Sequence, residues 1–163
     1  MGDEGDGMTI DEQIAVLETE LLEIQLPHFD AGVAWRIGAF IHERADTAGK
    51  RIACEISRPG QQLFYFAMPG IAPDSEAWIR RKRNVVERFH KSSLLMKLLA
   101  DKQERPLLER YALAPGDYCA SGGGVPIVVK GSGCLGAVTV SGLTQFDDHA
   151  LGVEALRNVL STL

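Results

Sequence analysis

At 163 residues, with 45% hydrophobic and 24% charged residues, the chain is long enough to bury a core without disulfides or metal, and its composition is that of a folded domain. A formal net charge of −5 argues against a general nucleic-acid binder, and no apolar run approaches the ~20 residues that span a bilayer. Three scattered cysteines, Cys54, Cys119 and Cys134, make neither a disulfide framework nor a Cys-x-x-Cys zinc site and read as reduced packing residues.

Residues 1–8, acidic and glycine-rich, read as a disordered leader and lack the basic start and apolar core of a signal peptide, which places the protein in the cytoplasm. Residues 9–163 then form a single domain. Thr9 and Glu12 have capping-box spacing, and Ile10, Ile14, Leu17, Leu21 and Ile24 make one narrow apolar stripe along a first helix. The stripe packs on the chain's own core or, less simply, forms a short dimer seam.

Asp30 is the N-cap of a second helix, with Ala34, Ile37, Gly38, Ile41, Ala45 and Ala48 on one face and Gly49 as its stop. Strands over 51–57 and 62–68 are joined by Arg58-Pro59-Gly60-Gln61, whose proline and glycine suit the two central positions of a turn. A long helix capped by Asp74 or Ser75 is expected from about Glu76 to Leu99, and a shorter one over 106–113, starting at a proline and ending before Pro115-Gly116. Two β-branched runs between glycine clusters, 124–130 and 134–141, form a second hairpin whose strands are apolar on both faces and so need helices on both sides. Thr144 and Asp147 start a final helix bearing Phe146, Ala150, Val153, Leu156 and Leu160. Helix, helix, hairpin, helix, hairpin, helix describes an α+β layered domain with a central antiparallel sheet of two hairpins covered by helices.

Gly131, Gly133 and Gly136 match G-x-G-x-x-G spacing, but a strand follows where dinucleotide binding needs a helix N-terminus. In the long helix, Trp78, Ile79, Val85, Val86, Phe89 and Met96 share a face with Lys82 at its centre and Ser93 beside it. A buried, unpaired ammonium costs several kcal/mol. Lys82 therefore snorkels past the sheet, pairs with a carboxylate such as Glu55, or lines a cavity and meets an anionic ligand. Arg80, Arg81, Arg83, Arg88 and Lys91 read as a solvated face.

The glycines Gly122, Gly123 and Gly124 before Pro126 either form an anion-binding nest or squeeze between packed elements, and Ser141-Gly142 sits similarly at a strand end. Asp148 and His149 resemble a carboxylate orienting an imidazole, an acid/base pair for an enzyme, and capping chemistry explains the acidic residues equally well. His90 is the axial-ligand candidate were the ligand a haem. The four histidines form no metal-binding spacing, and no metal site is expected.

The stretch from Asp74 to Ser93, Gly-Gly-Gly-Val-Pro-Ile at 122–127, Gly-Ala-Val-Thr-Val-Ser-Gly-Leu at 136–143 and Asp-Asp-His at 147–149 resemble the UPF0303 family. That family is similar to the wider haem-degrading-domain, HbpS-like (GlcG-like) group, which shares the glycine and Val-Ser-Gly patterns. The resemblance implies a profilin-like α/β/α fold, symmetric homo-oligomers, and binding of haem, a corrinoid or a related ligand. Gly122, Gly123, Gly124, Pro126, Ser141 and Gly142 match the shared motifs, and Lys82 and His149 the narrower family's.

The leading reading is a non-enzymatic module that binds a small anionic or tetrapyrrole ligand between the long helix and the sheet, with Lys82 facing its acidic group. The alternatives are an oligomeric interaction protein, built on apolar helix surface around Leu94, Leu95, Leu98 and Leu99, and an enzyme acting on a small anionic substrate.

Overall fold

The computed structural model describes residues 7–163. The acidic leader lies outside the described residues except for Gly7 and Met8.

Helix α1 spans Ile10–Glu23, with the Thr9 hydroxyl accepting from the Glu12 N–H, and α2 spans Ala31–Thr47, with the Asp30 carboxylate accepting from the Val33 N–H. Strands β1 (Ala53–Arg58) and β2 (Gln61–Ala67) form the first hairpin. Strands β3 (Gly124–Val129) and β4 (Gly133–Ser141) form the second, and α6 (Gln145–Leu160) starts at the Thr144 cap. The sheet is wholly antiparallel in the order β2-β1-β4-β3, so the hairpins join through β1 and β4.

The expected single helix over 76–99 is instead two. α3 (Asp74–Phe89) ends at His90, which takes a left-handed conformation with φ 53°, and α4 (Ser93–Lys102) restarts from a buried Ser92 cap whose hydroxyl accepts from the Leu95 N–H. Neither Asp74 nor Ser75 caps α3, whose N-cap is Pro73, without a side-chain hydrogen bond. The break turns α4 away from the sheet, onto α1. Leu94, Leu95 and Leu98 there pack against Ile14 and Leu17, so the apolar surface expected at a subunit contact is covered within the chain. The helix expected over 106–113 shortens to one turn, α5 (Leu107–Arg110).

Alternation along the strands gives the sheet two unlike faces. Cys54, Ile56, Val125, Ile127, Val138 and Val140 point to α2 and α6, where they meet Ile37, Ile41, Leu151 and Leu156 in the main core. Gly38 on α2 stands against the Phe64 ring; a methyl group there would fall 2.2 Å from it. The other face carries Ala53, Glu55, Ser57, Ala137, Thr139 and Ser141 and lies under α3.

Candidate functional site

Lys82 projects from α3 into this second face at the end of the sheet where β4 leaves and β3 begins. Its Nζ lies 3.0 Å from Asp148 Oδ2 and 3.0 Å from the Val140 carbonyl oxygen, with side-chain exposures of 4% for Lys82 and 2% for Asp148. Lys82 thus pairs with a buried carboxylate, but not with Glu55. Glu55 accepts from Arg83 Nη1 at 2.8 and 3.1 Å and from Gln62 Nε2 at 2.8 Å. Burial pushes the Asp148 carboxyl up from its ordinary range, against the pull of the Lys82 ammonium and of the Leu143 and Gly142 N–H groups.

The glycine motifs are the walls of this pair. The Gly123 carbonyl accepts from the Val140 N–H, while the Val140 carbonyl is taken by the ammonium instead of by a strand. Gly123 has φ +134°, and a Cβ there would stand 2.4 Å from the Val140 oxygen and 2.7 Å from Lys82 Nζ. Only glycine lets the chain pass between them. Gly124 donates to the buried Ser93 hydroxyl (2.9 Å) and Gly122 to Gln145 Oε1 (3.2 Å), so these two N–H groups are already used within the chain. Gly142, φ +134°, presses on the Arg51 carbonyl, and Ser141 and Pro126 are buried in the neighbouring strands.

Lys82, Ser93, Gly122, Gly123, Gly124, Gly142 and Asp148 therefore come together as one packed unit. His149 does not join Asp148: its Nε2 lies 2.9 Å from Glu20 Oε1 on α1, and its buried Nδ1 has no partner among the described residues. His90 is exposed at the corner between α3 and α4.

A cleft of about 650 Å³ opens beside this unit, between α4, α5 and the segment around Pro115–Ala120. Ala100, Leu107, Leu108 and Tyr118 give it apolar walls; Arg81, Lys97 and Arg105 place cations on it, against the acids Asp101 and Glu104. None of the candidate site residues read from the sequence, Lys82, His90, Ser93, the glycine motifs, Asp148 and His149, lines it. Its outer wall is held firmly, since Arg80 donates to Asp117 Oδ1 (2.9 Å) and to the Gly116 carbonyl, and Asn84 Nδ2 donates to the Asp117 carbonyl (2.8 Å). The Arg81 guanidinium stacks on the Trp78 ring, 4.1 Å from its centroid. No histidine is among the described residues that line the cleft; Tyr118 and Cys119 are of the residue types that serve as haem axial ligands, and burial pushes the Cys119 thiol up. These residues were missed because Arg81 reads as part of a solvated face and Lys97 and Arg105 belong to no motif. The available signal was the long connection between α4 and β3, which holds only the single turn α5, since long connections inside a compact domain often carry function.

A family model described as haem degrading protein HbpS-like matches residues 29–157. A UPF0303 protein of Serratia proteamaculans is 43% identical over 153 residues, covering 94% of this chain and 95% of that one. The chain is a UPF0303 protein of the HbpS-like family. A UPF0303 protein of Rhizobium johnstonii is 42% identical over 94% of both chains. Among solved structures, the Ybr137w protein superposes with a TM-score of 0.84 at 28% identity, covering 91% of this chain and 88% of that one. A PduOC–haem complex superposes with a TM-score of 0.67 at 17% identity over 79% of this chain and 93% of that one, a likeness of fold. The α/β/α layering and the antiparallel two-hairpin sheet are thus those of the family.

Proposed function

We propose that this protein is a cytoplasmic ligand-binding module whose ligand is an amphipathic anion of the size of haem or a related tetrapyrrole. The cleft beside α4 and α5 carries the reading: at about 650 Å³ it has the volume of a small-molecule site, with apolar walls for a ring and two cations, Arg81 and Arg105, for acidic substituents, while Lys97 is paired with Asp101. The family's haem description and the haem-bound neighbour of like fold support the ligand class. Three free thiols suit a reducing compartment. Lys82, Ser93 and the three glycines support that site from beneath, by holding the chain where it runs from Cys119 and Ala120 into Gly122. The Lys82–Asp148 pair is internal, and Asp148 and His149 turn to different partners, Lys82 and Glu20.

Titration of the purified protein with haemin, followed by absorption, tests this. A saturable Soret shift, weakened at least ~10-fold (about 1.4 kcal/mol) by Arg81→Glu or Arg105→Glu and unchanged by His90→Ala, is the expected result. Non-saturating adsorption, identical in all four proteins, would overturn it.

A second reading, self-association, draws on Trp35, a residue 64% exposed whose ring stands edge-on to Phe64 beside the edge strand β2. Sedimentation of a species that Trp35→Arg dissociates is expected; a concentration-independent monomer would rule it out.

A further inference from the structure

The first hairpin holds polar groups that neither the fold nor the cleft uses. Ser57 is 2% exposed, and its hydroxyl has no hydrogen-bond partner among the described residues. A buried hydroxyl left unpaired is costly, and a bound molecule that pairs with it recovers that cost. Ser57 also sits at a break in register: the β1–β2 pairing shifts between Ile56 and Ser57, a bulge of the kind that re-aims a side chain beside a site.

Ser57 lines a cavity of about 350 Å³ at the hairpin's mouth, shared with Arg58, Gln61, Gln62, Arg83 and Glu87. The charges there are unevenly used. Arg83 gives Nη1 to Glu55, and its Nε stands 3.9 Å from Glu87, too far for a hydrogen bond. Arg58 gives only Nε, to Gln61 Oε1 at 2.8 Å. The remaining N–H groups of both guanidinium forks meet no acceptor among the described residues. Arg83 offsets the buried Glu55, Arg58 makes no ion pair among the described residues, and Glu87 is the acid that lines the cavity with them. Two planar forks beside an unpaired hydroxyl match an oxygen-rich anion better than a cation or an apolar group.

We propose that the mouth of the β1–β2 hairpin binds a small oxyanion, a carboxylate or a phosphate, which bridges Arg58 and Arg83 and accepts from the Ser57 hydroxyl. The site is separate from the α4–α5 cleft. Glu55 holds Arg83 in place from below, and Glu87 competes with the ligand, which keeps affinity low.

Amide chemical shifts followed during separate titrations with inorganic phosphate and with acetate, at constant ionic strength, test the proposal. Saturable shifts confined to Ser57, Gly60, Gln61, Gln62, Arg83 and Glu87 are expected. Saturation by phosphate alone, acetate alone or both assigns the anion's source. Arg58→Gln, a change at an exposed turn, should weaken binding roughly 10-fold, Ser57→Ala about 3–10-fold, and Glu87→Gln should tighten it. Flat titrations with both anions, showing that the hydroxyl is served by water alone, would overturn the site. So would shifts of equal affinity in the wild type, Arg58→Gln and Ser57→Ala.

Discussion

The two faces of the sheet are made by the same four strands and are chemically opposite. Toward α2 and α6, Cys54, Ile56, Val125, Ile127, Val138 and Val140 build a wholly apolar core. Toward α3, Glu55, Ser57, Thr139 and Ser141 are buried among small residues, and two cations, Lys82 and Arg83, reach down to acids. Apolar burial is nondirectional and supplies stability, whereas a buried charge is tolerated only in the geometry that pairs it. The first face therefore holds the molecule together, and the second fixes where α3 lies. That placement matters because α3 also holds Arg81 on the cleft and grips its outer wall through Arg80 and Asn84.

The contrast is broken most sharply at Lys82. Lys82→Met leaves Asp148 buried without its partner and should cost about 3–5 kcal/mol in urea unfolding, while Lys82→Met with Asp148→Leu should recover most of that loss. Equal costs for the single and double variants would show that the pair is not what the second face depends on. On the first face, Ile41→Ala should cost about 2–5 kcal/mol through the cavity it leaves, with no partner substitution able to restore it by charge. Gly123→Ala places a methyl group against the Val140 oxygen and the Lys82 ammonium from a backbone at φ +134°, and a loss of about 1–3 kcal/mol is expected, non-additive with Lys82→Met because both act on one site. The smallest effect is at Thr139, whose buried hydroxyl has no partner among the described residues. Thr139→Val should be neutral or stabilising by up to about 1 kcal/mol by thermal denaturation; a clear loss would mean that the hydroxyl is satisfied, by water or ligand.

Part of this arrangement is legible before folding. The lysine in the middle of an apolar stripe had to snorkel, pair with an acid or meet a ligand, and the glycine run before Pro126 offered either an anion nest or a tight passage. What could not be read was that the two are one feature, with Gly123 making room for the ammonium and Asp148, 66 residues further on, supplying its counter-charge. Glu55 looked like the available acid for Lys82, yet neighbouring Arg83 takes it, because adjacent positions on a helix point about 100° apart and only the docked helix decides which one faces β1.

The Thr9, Asp30 and Thr144 caps and the two hairpins are readable from the chain alone, because they follow from spacing and from contacts only a few residues apart, whereas the strands of the second hairpin, expected to be apolar on both faces, turn Thr139 and Ser141 toward α3. The tertiary structure alone decided the break at His90, the packing of α4 on α1, the partner of Lys82 and the place of the cleft. Each of these depends on which of several locally permissible arrangements brings distant surfaces together, and that choice is made by packing and charge pairing across the whole domain rather than by any local period.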